Sequence, residues 1–223
     1  MRAGSDVMSL EIVAAELERP EHQRAVVELL DAYARDPMGG GVPLTAEARE
    51  SLVPGLRAHP TTIIFLAYSG ATPVGIAVCF RGFSTFAAQP LINIHDLAVL
   101  PEYRGRGIGR ALLDAVEGQA RALGCCKLTL EVQENNDKAQ GLYLAAGFEH
   151  AVYQEATGRA LFLWKRLTGA QAHGEGVPPP PSGTRGPGSL VESIVLPSAG
   201  LLAVAQSLLE QAGITYYVRN QSA

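Results

Sequence analysis

The chain lacks most of what would suit it to several common roles. It carries only three cysteines, Cys79, Cys125 and Cys126. Adjacent cysteines rarely pair with each other, and an odd count gives no disulfide framework, so a reducing, cytoplasmic compartment is expected. Cys79 lies in an apolar run and Cys125-Cys126 opens a predicted strand, so they read as small core-type residues. No CxxC or HExxH spacing occurs, and no metal site is expected. The net charge is -4 and no run of lysine or arginine appears, so a basic stripe for DNA or RNA is missing. No apolar run approaches the roughly 20 residues of a membrane span. The opening Met1–Asp6 is polar and lacks the apolar region of a secretory leader. Neither nucleic acid nor membrane is expected as a partner.

What is present suits a packed enzyme domain. Hydrophobic residues make up 47% of 223 positions, a length for one domain and a small appendage. Composition changes between Ala170 and Gly188, where four prolines, Pro178–Pro181, stand among many glycines. This reads as a linker. The expected division is a domain at 1–168, a linker at 169–189 and a β-α-β unit at 190–223. That last unit buries too little apolar surface to be stable alone.

Within the domain, Leu10–Ala14 reads as a strand and Pro20–Arg35 as a helix with Ala25, Val26, Leu29, Leu30 and Tyr33 on one side. Asp36–Pro43, with three successive glycines, is a loop. Thr45 caps a second helix running to about His59, which Pro54 is expected to kink or break. Thr62–Ser69 and Val74–Arg81 form a hairpin around Gly70-Ala71-Thr72-Pro73, and Leu91–Val99 is a further strand. A helix at Gly107–Gly124, a strand at Lys127–Val132 and a helix at Asp137–Ala146 follow. Strands near Glu149–Gln154 and Ala160–Arg166 close the domain.

The chemistry concentrates at Leu97–Arg110. A strand ends, Pro101 turns the chain, and Gly105, Gly107 and Gly109 lead into a helix. Glycine permits positive φ and close backbone approach. The amides of such a loop converge into an anion nest, and the helix adds the positive end of its dipole. Arg104, Arg106 and Arg110 are expected to add countercharge. The whole reads as a pyrophosphate site. A dinucleotide fold would place this loop after the first strand of a βαβ unit, whereas here it lies mid-chain behind an antiparallel strand run, and no Gly-Lys-Ser/Thr follows to make a P-loop.

These residues resemble the GNAT superfamily of N-acetyltransferases over about Leu10 to Leu167. Arg104-x-x-Gly107-x-Gly109 matches the superfamily's Arg/Gln-x-x-Gly-x-Gly/Ala. A second block matches in Asn136-Asp137-Lys138-Ala139, Leu142-Tyr143 and Ala146-Gly147-Phe148. The resemblance implies an α/β fold with a mixed, mostly antiparallel sheet, splayed central strands and flanking helices. It implies acetyl-CoA as co-substrate and no metal. Leu97, Ala98 and Val99 would line the pantetheine arm, with main-chain bonds from Leu97 and Val99. Arg104, Gly105, Arg106, Gly107, Ile108, Gly109 and Arg110 would cradle the pyrophosphate. Asn136 would contact the cofactor arm, cap its helix, or both.

Tyr143 lies seven residues, almost two turns, after Asn136, so both project from one helix face. The resemblance makes Tyr143 the general acid for the leaving thiolate; packing on Phe148 is the plainer role. Strand alternation puts Asn93, His95 and Leu97 on one face and Ile92, Ile94 and Asp96 on the other. Relatives carry a glutamate base on this strand. Here a neutral His95 can accept the amine proton, or it can be structural. Asp96 is expected to be structural or loop-anchoring.

The run Phe80–Phe86 with Pro90-Leu91 resembles the diamine and polyamine branch, but His95-Asp96 stands where that branch has two carboxylates. The implied acceptor is a small amine, polyamine or amino acid. The competing readings are a non-catalytic acyl-CoA sensor and a protein N-acetyltransferase. A homodimer is compatible with either. The tail, with Leu208-Leu209-Glu210 leading to Ala212-Gly213-Ile214, resembles half of a small signalling-type module that can bind another protein.

Overall fold

The computed structural model describes residues 9–150. The expected closing strands, the linker and the β-α-β unit fall outside the described residues. Five strands lie in the order β1-β2-β3-β4-β5: β1 Leu10–Ala14, β2 Thr62–Ser69, β3 Thr72–Ser84, β4 Gln89–Val99 and β5 Leu128–Leu130. The first three pairings are antiparallel and β4–β5 is parallel. Four α-helices accompany them: α1 Pro20–Arg35, α2 Ala46–Ala58, α3 Ile108–Ala122 and α4 Asp137–Ala145.

Two apolar layers hold the sheet. On one face, Ala25, Val26, Leu29 and Leu30 of α1 and Leu56 of α2 pack on Ile64, Leu66, Ile76 and Val78. On the other, Ile108, Leu112, Leu113, Val116 and Ala120 of α3 pack on Phe65, Ala67, Val74, Ala77, Cys79, Ile92 and Ile94, and α4 joins through Leu142, Tyr143 and Ala146. Each valine, leucine or isoleucine among them contributes about 1.5–3 kcal/mol on burial. Gly75 lets α3 come close: a Cβ there would lie 3.1 Å from the Ala98 carbonyl and 3.2 Å from Leu112. Buried Asp31 joins α1 to α2, receiving Arg35 at 3.0 Å, Arg49 at 2.7 Å and the Leu44 amide at 3.0 Å.

Three expectations are corrected. Pro54 does not break α2, whose Thr45 cap accepts from the Ala48 amide at 3.1 Å as anticipated. Pro54 and Glu50 lie on the exposed side, so the carbonyl deprived of its helical donor faces water. β3 runs beyond Arg81 to Ser84 because β4 starts early enough to pair with it down to Gln89. β5 is only three residues long, because the chain leaves β4 after Leu130.

Candidate active site

The site centres on a fork. Before Ile94, β4 has neighbours on both edges: Ile92 donates to the Lys127 carbonyl at 3.2 Å, and Cys126 donates to the Pro90 carbonyl at 2.8 Å. The parallel register runs from Ile92↔Leu128 to Ile94↔Leu130 and stops. Past that point, no described segment pairs with this edge of β4. Leu100 donates to the Val74 carbonyl at 2.9 Å. Peptide groups alternate direction along a strand, so those of Ala98 point to β3 and those of Leu97 and Val99 point into the gap. The Val99 carbonyl accepts from Arg104 Nε at 2.9 Å.

A β-bulge sits where the fork opens. Val78 faces Asp96 and Cys79 faces Ile94, leaving His95 as the extra residue. This overturns the expected alternation. One unpaired residue shifts the phase, so Leu97 joins Ile92 and Ile94 in the α3-side layer. Asp96, opposite Val78, turns to the α1 side. His95 is exposed, with its ring 5.5 Å from Phe80 in an edge-on contact.

The loop after β4 is made for an anion. A single 3-10 turn, Pro101–Tyr103, precedes it. Gly105 and Gly107 have φ of 75° and 80°, while Arg106 between them keeps negative φ. This left–right–left alternation aims successive amides at one point. The first bond of α3 runs from Ala111 to the Gly107 carbonyl at 3.0 Å. Among the described residues, the amides of Gly105 through Arg110 have no acceptor. A Cβ at Gly105 or Gly107 would meet nothing within 4 Å, so glycine serves the backbone angle there. Gly109 serves close packing instead, since its Cβ would lie 3.0 Å from Leu142 on α4.

All three arginines expected to add countercharge are engaged by protein groups. Arg104 Nη2 meets Asp36 Oδ2 at 2.7 Å. Arg106 donates to the Glu102 carbonyl at 2.9 Å and lies 5.2 Å from the centre of the Tyr103 ring. Arg110 bonds Asp114 at 2.7 Å and the Ala145 carbonyl at 2.9 Å. Each guanidinium is thus oriented by the protein, and the six backbone amides are donors that no described protein group orients or fills. Six unpartnered amides beside an open strand edge fit a ligand with a pyrophosphate at one end and an amide-bearing arm at the other, which is the build of coenzyme A.

Helix α4 supplies the third wall. Asn136 caps it, its Oδ1 accepting from the Ala139 amide at 3.2 Å. The half-buried Tyr143 stacks at a tilt on Phe148, with ring centres 5.8 Å apart. Burial, helped by the nearby Tyr33 phenol, pushes the Tyr143 hydroxyl up to about 12, so it keeps its proton through the neutral range.

Sequence reasoning missed two groups here. Burial pushes the Asp96 carboxyl above the usual range, with His95 opposing the shift. Among the described residues the Asp96 carboxyl makes no hydrogen bond or ion pair, its main chain pairing with Val78. Tyr33 is also raised, by burial and then by Asp96 and Asp36. A carboxylate inside an apolar strand is a signal that could have singled out Asp96. Nothing local distinguishes Tyr33 from an ordinary residue of a helix face.

A family model described as the acetyltransferase (GNAT) family matches residues 25–148. The fold is shared with the crystal structure of a probable acetyltransferase, at 23% identity and TM-score 0.58, covering 70% of this chain and 99% of that one. It is also shared with the aminoglycoside N-acetyltransferase AAC(6')-Iy in complex with CoA, at 20% identity and TM-score 0.56, covering 71% and 96%. A ribosomal-protein-alanine N-acetyltransferase from Brucella melitensis biovar Abortus 2308 is similar at 17% identity and TM-score 0.50, covering 71% and 97%. With the family model spanning more than half of the sequence, and the fork, the amide nest and the tyrosine helix in one arrangement, this chain belongs to the acetyltransferase (GNAT) family and is an acetyl-CoA-dependent N-acetyltransferase.

Proposed function

We propose that the protein transfers an acetyl group to the primary amine of a small molecule, such as a small amine, a polyamine or an amino acid, by direct attack. The observation that carries this reading is the fork itself, an open strand edge that begins at a bulge bearing His95 and Asp96 and leads into the amide nest. The solved relatives named above act on an aminoglycoside and on a ribosomal-protein alanine. An amine acceptor is common to both.

Acetyl-CoA supplies the activated thioester carbonyl. In this reading the amides of Gly105–Arg110 hold the pyrophosphate, and the outward peptide groups of Leu97 and Val99 hold the arm. Asn136 steadies α4 and borders the arm. His95, exposed at the bulge, accepts the proton of the attacking amine, with the Asp96 carboxyl beside it. Tyr143 keeps a proton available for the departing thiolate.

A screen of acetyl-CoA turnover over a panel of amines, read by thiol release, tests the proposal. At least one small amine should raise thiol release well above the rate without acceptor. Tight CoA binding without turnover on any amine would favour a sensor, and turnover only on peptide N-termini or lysines would favour a protein acetyltransferase.

A further inference from the structure

The loop between α1 and α2 touches both arms of the fork. Asp36 Oδ2 is held at 2.7 Å by Arg104 Nη2, and the same guanidinium is fixed on the Val99 carbonyl through Nε at 2.9 Å. Two residues further on, the Met38 carbonyl accepts from Gln133 Nε2 at 3.3 Å. Arg104 follows β4 and Gln133 follows β5, so the loop bridges the two chain segments where the strands have parted.

The loop's shape is internally set. Asp36 Oδ1 accepts from the Met38 amide at 2.9 Å, and the Asp36 carbonyl accepts from Gly39 at 2.8 Å and Gly41 at 3.0 Å. Gly39 lies so close to α1 that a Cβ would stand 1.9 Å from the Tyr33 carbonyl. The ion pair is no ordinary surface contact. The Asp36 side chain is only 13% exposed, and the Arg104 hydrogen bond holds its carboxyl below the usual range.

We propose that Arg104 is a positioning residue: with Asp36 it latches the α1–α2 loop to the cofactor loop, acting on the acceptor side of the site instead of binding pyrophosphate. The identity of the two sides rests on the acetyl-CoA reading above. The geometry favours this role because Nε and Nη2 of the guanidinium are already held, by the Val99 carbonyl and by Asp36, which fixes the group against the loop, while six backbone amides remain open beside it.

Arg104→Gln and Asp36→Asn in the full-length protein separate the two roles. Asparagine keeps the oxygen that receives the Met38 amide but loses the charge. As latch variants, both should speed amide hydrogen exchange at residues 38–42 by about fivefold or more. Both should bind CoA in calorimetry within about threefold of the unaltered protein. With an amine that turns over, both should raise KM for the amine and leave KM for acetyl-CoA nearly unchanged. The double variant should be no worse than either single one.

If Arg104 binds phosphate, Arg104→Gln alone costs more than about tenfold in CoA affinity, and Asp36→Asn leaves binding unchanged or tighter. That result overturns the proposal, as does unchanged exchange at 38–42 in both variants. Failure of the unaltered protein to bind CoA would sink the cofactor reading, and the exchange measurement without ligand would still decide the latch.

Discussion

From Pro90 to Ile94, β4 has hydrogen-bonded neighbours on both edges, whereas from Asp96 to Val99 it pairs, among the described residues, only with β3. The first half buries Ile92 and Ile94 in the α3-side layer and is ordinary sheet interior. The second half has the same apolar character in Leu97, Ala98 and Val99, yet these residues are only half-buried. The contrast teaches that an apolar strand can be exposed on one edge without being a defect, provided a ligand of strand-like chemistry is there to complete it. One unpaired residue, His95, divides the two regimes.

The largest expected effect comes from the acid proposed for the open half. Tyr143→Phe should leave acetyl-CoA binding intact and lower turnover by about 10²–10⁴-fold. Single-turnover kinetics with a saturating amine would measure it. A variant as fast as the unaltered protein would make Tyr143 a packing residue for Phe148, and the open half would then lack its acid.

Next comes the loop that the open half leads into. Gly107→Glu sets a carboxylate and a Cβ on a residue with φ of 80°, inside the proposed phosphate nest. Repulsion of several kcal/mol is expected from such a like-charge contact, so CoA affinity should fall by about a hundredfold or more. Circular dichroism would establish that the variant is folded, and calorimetry would read the loss. Unchanged affinity in a folded protein would remove the nest from the site.

At the bulge, two substitutions sharpen the division. His95→Gln should reduce turnover by at least about tenfold while acetyl-CoA binding persists. Asp96→Asn tests burial instead. Ionising a buried carboxyl is unfavourable, so the folded protein holds that proton to higher pH than the unfolded chain. Between the ordinary carboxylate value of about 3.9 and the raised one, the native state binds more protons, and stability falls as pH rises through that window. The urea midpoint of Asp96→Asn should therefore gain on that of the unaltered protein as pH rises above about 4. A constant difference would mean that the carboxyl is not held in a desolvated place.

The smallest effect is expected far from β4. A chain ending at Thr168 retains both halves of the strand, the nest and α4. It should be soluble and turn over acetyl-CoA with the same amine preference. Insolubility, or a lost amine preference, would make residues after 168 part of the working domain.

Where the pattern lies within one element, the sequence was a good guide. The bounds read for β1, α1 and β2 coincide with those in the structure, since a 2- or 3.6-residue period and a flanking proline or glycine are local facts. The amide nest was legible for the same reason, because alternating glycines before a helix determine it almost alone. The bulge was not. An extra residue leaves no trace in a strand's own pattern and exists only against β3, so Asp96 and Leu97 were assigned to the wrong faces. The partner of Arg104 was hidden too, because Asp36 lies 68 positions away and meets it only through the packing of α1 on the sheet.

The six open amides of residues 105–110 have an evolutionary consequence. Every residue but proline brings the same main-chain donor, so the identity of exposed positions such as Arg106 and Arg110 can drift while the handle for the cofactor survives. The glycines are short of alternatives, Gly105 and Gly107 because the chain turns there with positive φ and Gly109 because of its closeness to Leu142. The proposed acceptor side is written in side chains, His95 and Asp96 together with the latched glycine loop, and each of these is one codon from change. Lineages of this architecture can therefore acquire new amines quickly while inheriting the same handle, and chains that share the handle need not share a substrate.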